Sequence, residues 1–512
     1  MLATKWLANQ YPVSPNWHLM TREMADRRLD VDLLARELGN WRTANGSGPV
    51  YRGLADGLRM LIVDGRLPVG SRLPSERALA DALRVSRTTV TAAYAQMRDE
   101  GYLNARRGAR STTALPESAG MASTGPDGVA PSAINLAAAA MSAPASAVLD
   151  AFAGAAADVG AYLHSAGLEL HGARPLRQAI AERYCARGLF TKPDQIMVTT
   201  GALNAIGLIL STFVERGERV LVEQPTYPGA LAAVEAAGAR AVPVSLAPDE
   251  GWDLGALHTA IRQLAPTLAY LIPDQHNPTG LSMPAEQREQ LGRIIAETRT
   301  RTVIDETMAD IWLDEPTPPP VAALATRRPE LLLTVGSMSK SFWGGLRIGW
   351  IRAEPATLAT IAARRPSVDL GTAILEQLAA ARLLAAADDV LPERRELIRH
   401  RRALLRTLLA EHLPDWQPCN TTLPSGGLSM WMRLPAPMSS ALSAAASRLG
   451  VDIPPGPRFG VDGTLERYIR VPYALPDDQL AQAIPLLARA WAQVTGASPA
   501  PAGATPAAAP VV

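Results

Sequence analysis

The sequence predicts a chain of several domains. A small α+β winged helix-turn-helix module comes first, then a linker. An α/β body follows, with a mostly parallel sheet and a smaller C-terminal α+β part. Three observations predict this. At 512 residues the chain is too long for one ordinary core. Its net charge is only +1, yet residues 50–113 hold eleven arginines, no lysine and six acidic residues. From Ile134 onward, short apolar runs of strand length alternate with helical patterns, as in a parallel sheet covered by helices.

Residues 1–48 are expected to be an N-terminal extension with one helical pattern, Leu29, Leu33, Leu34, Leu38 and Trp41. Leu2 to Gln10 is too short and too polar for the apolar core of a signal peptide. No apolar run reaches spanning length free of charges, Pro or Gly clusters, so a cytoplasmic protein with no membrane partner is expected. The two cysteines, Cys185 and Cys419, fit neither a disulfide framework nor a metal-ligand spacing, so no metal site is expected.

Residues 49–113 form the module. Leu54, Leu58, Leu61 and Ile62 lie on one helical face. Pro74 halts the chain, and Ser75 can cap a second short helix bearing Leu79 and Leu83. After a tight turn, Ser86 can cap a third helix with Val90, Tyr94 and Met97 inward. A helix, a turn and a helix opening S-R-T-T is helix-turn-helix grammar, placing Arg87, Thr88 and Thr89 toward bases and phosphates. Gly101-Tyr102-Leu103 and Arg106-Arg107-Gly108-Ala109-Arg110 read as a two-stranded wing with a basic tip.

The string P-V-Y-R-G-L-A…G-R-L-P-V-G-S-R-L-P-S-E-R-A-L-A…V-S-R-T-T-V…G-Y-L…R-R-G resembles the winged helix-turn-helix of GntR-type transcription factors. That resemblance implies a double-stranded DNA partner, met by Arg72, Ser75, Arg77, Ser86, Arg87, Thr88, Thr89, Arg107 and Arg110. The wing departs from the family's usual G-x-G-x-x-V, reading Gly108-Ala109-Arg110-Ser111-Thr112-Thr113.

Residues 114–134 are small, polar and Pro/Gly-rich, the composition of a flexible linker. The body is expected over 135–496, its small part from roughly 385 on. Ile196–Thr199 reads as a strand leading to a helix that opens at Gly201-Ala202, where backbone N–H groups suit a phosphate. Arg219–Val222 ends toward Tyr227, Leu268–Ile272 toward Asn277, and Thr302–Ile304 at Asp305. Ligands gather at such strand ends. The run Leu331–Val335 leads into Ser337, Ser339 and Lys340, with Arg347 seven residues further on. A lysine among small residues after a buried strand suits an amine that must lose its proton to attack a carbonyl. Hydroxyls and a guanidinium suit a phosphate, so the stretch describes a site for a phosphorylated aldehyde, of which pyridoxal 5'-phosphate is the obvious one. The plain alternative is a solvated lysine and a structural arginine in a Gly-rich turn. Residues 497–512 are low-complexity and are expected to be disordered.

The ordered set T-T-G-A, E-Q-P-T-Y-P-G, H-N-P-T-G, V-I-D-E, S-M-S-K and G-L-R-I-G-W resembles the fold-type I aminotransferase domain. The resemblance implies pyridoxal 5'-phosphate as cofactor, held as a Schiff base on Lys340, with Asp305 on the pyridine nitrogen. Asn277 would bond the ring oxygen, Tyr227 stack on the ring, and Gly201, Ala202, Ser337 and Arg347 hold the phosphate. Arg470 would clamp a substrate or effector carboxylate. Two tyrosines usual in that family are replaced. Thr307 follows Asp305-Glu306 and offers a hydroxyl in place of the phenol. Leu168 stands ahead of Gly172 and Leu176-Arg177.

A GntR-like reader, a linker and an aminotransferase-like body together resemble MocR-type regulators, and the spacing of Lys340 and Arg347 fits that group. The resemblance implies a homodimer with crossed-over reader domains. It also implies an amine or amino-acid effector that forms an aldimine with the cofactor and frees Lys340. The competing class is a turnover aminotransferase with an appended DNA-binding domain.

Overall fold

The computed structural model describes residues 31–496 apart from 40, 42–48, 64–66, 68–70, 105–110, 115–133, 248–250, 326, 420–423 and 462. The predicted wing-tip residues Arg107 and Arg110 and the predicted tail therefore lie outside the described residues. Two compact units are present. One gathers the described residues up to Ile134 with 440–451 and those from Leu486 on; the other comprises Asn135–Ser439 and Asp452–Pro485.

In the first unit, α1 (Val31–Leu38), α2 (Val50–Val63), α3 (Glu76–Leu83) and α4 (Arg87–Asp99) surround one apolar core. Leu54, Leu58, Leu61 and Ile62 are buried with Leu79, Val90, Tyr94 and Met97, as their spacing requires. Leu34, Leu38 and Trp41 join that core, so the helical pattern of the extension packs against the module. Ser75 accepts from Ala78 N–H at 3.2 Å and Ser86 from Thr89 N–H at 3.1 Å, capping α3 and α4. The turn between these helices passes through Arg84 at φ 53°. Arg59 on α2 pairs with Asp56 at 2.6 Å and with Glu100, which ties α2 to the end of α4. The wing pairs β1 (Leu103–Asn104) antiparallel with β2 (Thr112–Thr113). An isolated antiparallel bridge also joins Arg72 to Thr112.

The second unit is built on an eight-stranded sheet. Its strands are β3 (Ile196–Thr199), β4 (Arg219–Gln224), β5 (Arg240–Ala247), β6 (Gly251–Trp252), β7 (Leu268–Leu271), β8 (Arg301–Asp305), β9 (Leu332–Ser337) and β10 (Gly349–Arg352). The order is β3-β10-β9-β8-β7-β4-β5-β6. Neighbours pair in parallel from β9 through β8, β7 and β4 to β5, whereas β10 runs antiparallel to both β9 and β3. All four residues of β7 and all six of β9 are buried, the mark of strands covered on both faces. A smaller antiparallel sheet joins β11 (Gln417–Pro418), β12 (Ser429–Arg433) and β13 (Tyr468–Pro472). No helix among the described residues is long and apolar enough to cross a membrane.

Candidate functional site

The reader's described candidate contacts come from the starts of α3 and α4 and, for Arg72, from the segment ahead of α3. Arg72, Ser75, Arg77, Ser86, Arg87 and Thr88 are exposed, and Thr89 is half-buried. Ser86 Oγ shares hydrogen bonds with Thr88 Oγ1 at 2.7 Å and Thr89 Oγ1 at 2.8 Å, which orders the first turn of α4. Arg87 leans toward Glu76 at 3.7 Å. This surface presents hydroxyls, arginines and a helix N-terminus together, which suits phosphates and base edges.

In the body, the sequence-predicted residues other than Arg347 and Arg470 come from the C-terminal ends of β3, β4, β7, β8 and β9 or from the segments that follow them. These strands are parallel in the sheet, so their carboxyl ends open on one side, where loops can carry polar groups without breaking the core. Lys340 enters from the turn Ser339–Trp343 just after β9. Its Nζ donates to Ala139 O at 2.7 Å. Burial, helped by the Arg470 guanidinium and opposed by Asp305, lowers its ammonium to about 8. Arg470, on β13, is buried. Its Nη1 donates to Asn277 Oδ1 at 3.2 Å and its Nη2 to Ala137 O. Burial pulls its guanidinium down to about 10, opposed by Tyr227. Asn277 and Arg470 are thus one hydrogen-bonded pair, and the segment 137–139 faces both cations.

Asp305 ends β8 and is buried. Its Oδ1 accepts the Thr307 N–H at 2.8 Å and its Oδ2 the Tyr270 hydroxyl at 2.6 Å. Burial raises its carboxyl above the usual range, while hydrogen bonds from Thr307 and Tyr270 pull it back. Tyr227 precedes the helix α8 (Pro228–Ala236) and is raised by burial and by Asp305. The helices α5 (Ala145–Asp158), α6 (Arg174–Ala186) and α7 (Ala202–Phe213) come earlier in the chain, and α7 follows β3. At its start Gly201 has φ 84°, and a Cβ there would lie 2.7 Å from Arg347 Nη2. Gly349 packs so closely that its Cβ would be 2.7 Å from Ala202 N. Two glycines therefore clear a cradle at a helix N-terminus beside an exposed guanidinium. Arg347 donates to Thr200 O at 3.3 Å. Ser337 is buried, and its hydroxyl faces Ile348 O and Ser339 Oγ, both at 3.0 Å.

Three participants escape sequence reasoning. Tyr270 lies in an apolar strand, where an aromatic residue reads as a strand former. Glu306 turns away from Asp305 to meet Arg187 at 2.9 Å. Arg288, fully buried, holds Asp274 at 2.6 Å, so a network of two arginines and two acids backs the strand ends. In the sequence, Asp274 and Glu306 sit within two otherwise recognisable motifs, and acids at buried strand ends were the available signal.

The donor set fits a phosphorylated pyridine aldehyde. It offers a half-buried amine with a lowered affinity for its proton and a buried carboxylate met by two donors, with an aromatic ring and a glycine-cleared anion cradle. Pyridoxal 5'-phosphate is the cofactor with that combination. Residues 132–486 match the family described as aminotransferase class I and II, and residues 50–112 match the bacterial regulatory proteins of the gntR family. Among relatives, an uncharacterized HTH-type transcriptional regulator of Bacillus subtilis, YisV, is 27% identical over 77% of this chain and 86% of its own length. The 2-aminoadipate transaminase of Thermus thermophilus is 31% identical over 62% of this chain and 79% of its own. Among solved structures, LysN, an alpha-aminoadipate aminotransferase from Thermus thermophilus complexed with N-(5'-phosphopyridoxyl)-L-leucine, superposes with a TM-score of 0.65. It is 28% identical and covers 71% of this chain and 93% of that one. The chain belongs to the aminotransferase class I and II family, and the gntR-family domain ahead of that body gives it the make-up of a MocR-type regulator.

Proposed function

We propose that this protein is a DNA-binding transcription regulator whose body senses an amine or amino acid through pyridoxal 5'-phosphate held on Lys340. The observation that carries the proposal is that Lys340 lies within electrostatic reach of the buried Asp305 and Arg470, in a chain that also has a gntR-family reader. Pyridoxal 5'-phosphate supplies an aldehyde carbon that exchanges amine partners and a ring that withdraws electrons. Lys340 supplies the amine, kept reactive by burial. Asp305 gives the ring nitrogen a buried anionic partner, Tyr227 lies against the ring, and Asn277 bonds its oxygen, with Thr307 beside them. Gly201 and Ala202 N–H groups, Ser337 and Arg347 take the phosphate. Arg470 takes an effector carboxylate, which explains a guanidinium held rigidly in a buried place.

Binding alone does not regulate. The effector must leave the protein in a state with different operator affinity. On the DNA side, Arg72, Ser75, Arg77, Ser86, Arg87, Thr88 and Thr89 form the contact set. A homodimer is part of the proposal. Leu168, Leu203, Val368 and Leu370 are exposed apolar side chains on segments that approach one another near the phosphate cradle, where Asn204 bonds Asp369 at 3.0 Å and Gly371 packs against Glu169 O. A second copy of this chain, covering that patch, would bury it. The dimer would read repeated half-sites.

The test is the visible spectrum of purified protein with pyridoxal 5'-phosphate, beside Lys340→Ala. A band present in wild type and absent in the variant is expected. One amino acid or amine that then changes both the band and operator binding would identify the effector. Identical free-aldehyde spectra in both proteins would sink the cofactor role. Sustained multiple turnover with a keto acid and no effect on DNA would favour an enzyme instead.

A further inference from the structure

Tyr270 sits in β7, a strand buried along its whole length. It is opposite Val303 in the register with β8, so Asp305, two residues on, shares its face of the sheet. Across that face the Tyr270 hydroxyl donates to Asp305 Oδ2 at 2.6 Å, while Thr307 N–H occupies Oδ1 at 2.8 Å. Each carboxylate oxygen therefore has one donor from the chain. Both side chains are buried, with 2% of Tyr270 and 5% of Asp305 exposed. A short bond between a phenol and a carboxylate away from water is strongly directional.

We infer that Tyr270 is a positioning residue for Asp305, holding its carboxylate in one orientation and in its charged form toward the pyridine nitrogen. The role presupposes pyridoxal 5'-phosphate on Lys340. Asp305 needs such help. Burial pushes its carboxyl up, and Asp274 adds to that push. Tyr227 and Lys340 are the other titratable groups that feel its charge. Tyr270 itself is driven well above the ordinary phenol by burial and by Asp305, so it remains the proton donor. Without its hydroxyl, Thr307 is the one remaining hydrogen-bond donor against the burial of Asp305. Phenylalanine at this position keeps the shape and removes only the oxygen.

The experiment compares full-length wild type, Tyr270→Phe, Asp305→Asn and the double variant. Pyridoxal 5'-phosphate is titrated in by the Lys340-dependent visible band, and the band is then followed against pH. Tyr270→Phe is expected to weaken binding about tenfold and move the pH midpoint of the band upward by roughly one unit. The visible band titrates at the imine nitrogen, and a ring that loses part of its anionic partner carries less positive charge, so the imine keeps its proton to higher pH. In the Asp305→Asn background the same change should do nothing further. Wild-type affinity and midpoint in Tyr270→Phe would overturn the role. So would an equal loss in both backgrounds, which would mark the hydroxyl as supporting the fold only. Where Asp305→Asn binds too weakly to titrate, the midpoint of Tyr270→Phe decides alone. A wild type without a Lys340-dependent band defeats the cofactor itself, whereas a normal band unmoved by Tyr270→Phe defeats only the positioning role.

Discussion

Arg87 and Arg470 are both proposed to meet an anion, yet 72% of the Arg87 side chain is exposed and only 5% of Arg470. Arg87 stands between the exposed Ser86 and Thr88, and the Glu76 carboxylate lies 3.7 Å away. Around Arg470 the neighbours are Asn277 Oδ1, Ala137 O and the Phe459 ring. Charge near water is screened by salt and barely shifts in pKa, while charge under protein feels a lower effective dielectric and is shielded from ions. The comparison teaches how the two halves should respond. The cleft should answer to pH and ignore salt; the reader should answer to salt and ignore pH.

Asp305→Asn is the sharpest way to sharpen that contrast. Removing the anion from a buried pair costs about 3–5 kcal/mol, so affinity for pyridoxal 5'-phosphate should fall roughly a hundred- to several thousand-fold. The loss should be the same at low and high salt. If high salt erases it, Asp305 belongs with the solvent-screened groups. The next effect in size is on pH. Because burial lowers Lys340 to about 8, its neutral amine grows as pH rises through about 8 and is scarce below it. The rate of cofactor capture should therefore rise about tenfold per pH unit below about 8 and level off above it. A midpoint close to the ordinary lysine value would mean that Lys340 is not desolvated in solution.

Arg347 is the residue most able to break the comparison. It stands beside Gly201 at the proposed phosphate cradle but is exposed, donating to the carbonyls of Thr200 and Gly344. Charge-assisted hydrogen bonds contribute about 1.5–3 kcal/mol, so Arg347→Ala should weaken cofactor binding roughly ten- to a hundredfold. Its exposure predicts that part of this loss fades with added salt, unlike that of Asp305→Asn. Equal salt behaviour in the two variants would show that the phosphate end is as dry as the ring end. That outcome would place a covering surface, such as a second copy, over Arg347.

The strand ends that build the cleft are legible in the sequence because buried parallel strands are unbroken apolar runs that stop at polar motifs. Lys340, Asp305 and Asn277 announce themselves as such stops. The reader's core is legible from Leu54, Leu58, Leu61 and Ile62, since helical spacing survives in one dimension. What periodicity cannot say is what covers a face. Leu34, Leu38 and Trp41 show an apolar stripe, but only the fold reveals that it packs on the reader core. Partners far apart in sequence are hidden for the same reason. Tyr270 meets Asp305 through the register of two strands, and Arg187 reaches Glu306 from a helix 119 residues away. Each of these side chains is ordinary in its own neighbourhood, and only tertiary placement gives it a charge to hold.

The smallest effect is on the reader. Arg87 opens α4 beside the Ser86 cap and is exposed, so the contact proposed for it is with a phosphate in water. Each such contact releases condensed counterions from the duplex, which makes its strength depend on salt more than on geometry. Arg87→Ala should weaken operator binding by about 1 kcal/mol, roughly fivefold, at moderate salt. The slope of log affinity against log salt should become shallower by about 1. Changing pH from about 7 to 9, which spans the Lys340 transition, should leave that difference untouched when no cofactor is present. Binding curves of both proteins on one operator across a salt series check it. A fivefold loss with an unchanged salt slope would mean Arg87 reads a base edge, where geometry rather than counterion release sets the strength. Arg87 would then behave as Arg470 does, and exposure alone would no longer separate the two halves of the chain.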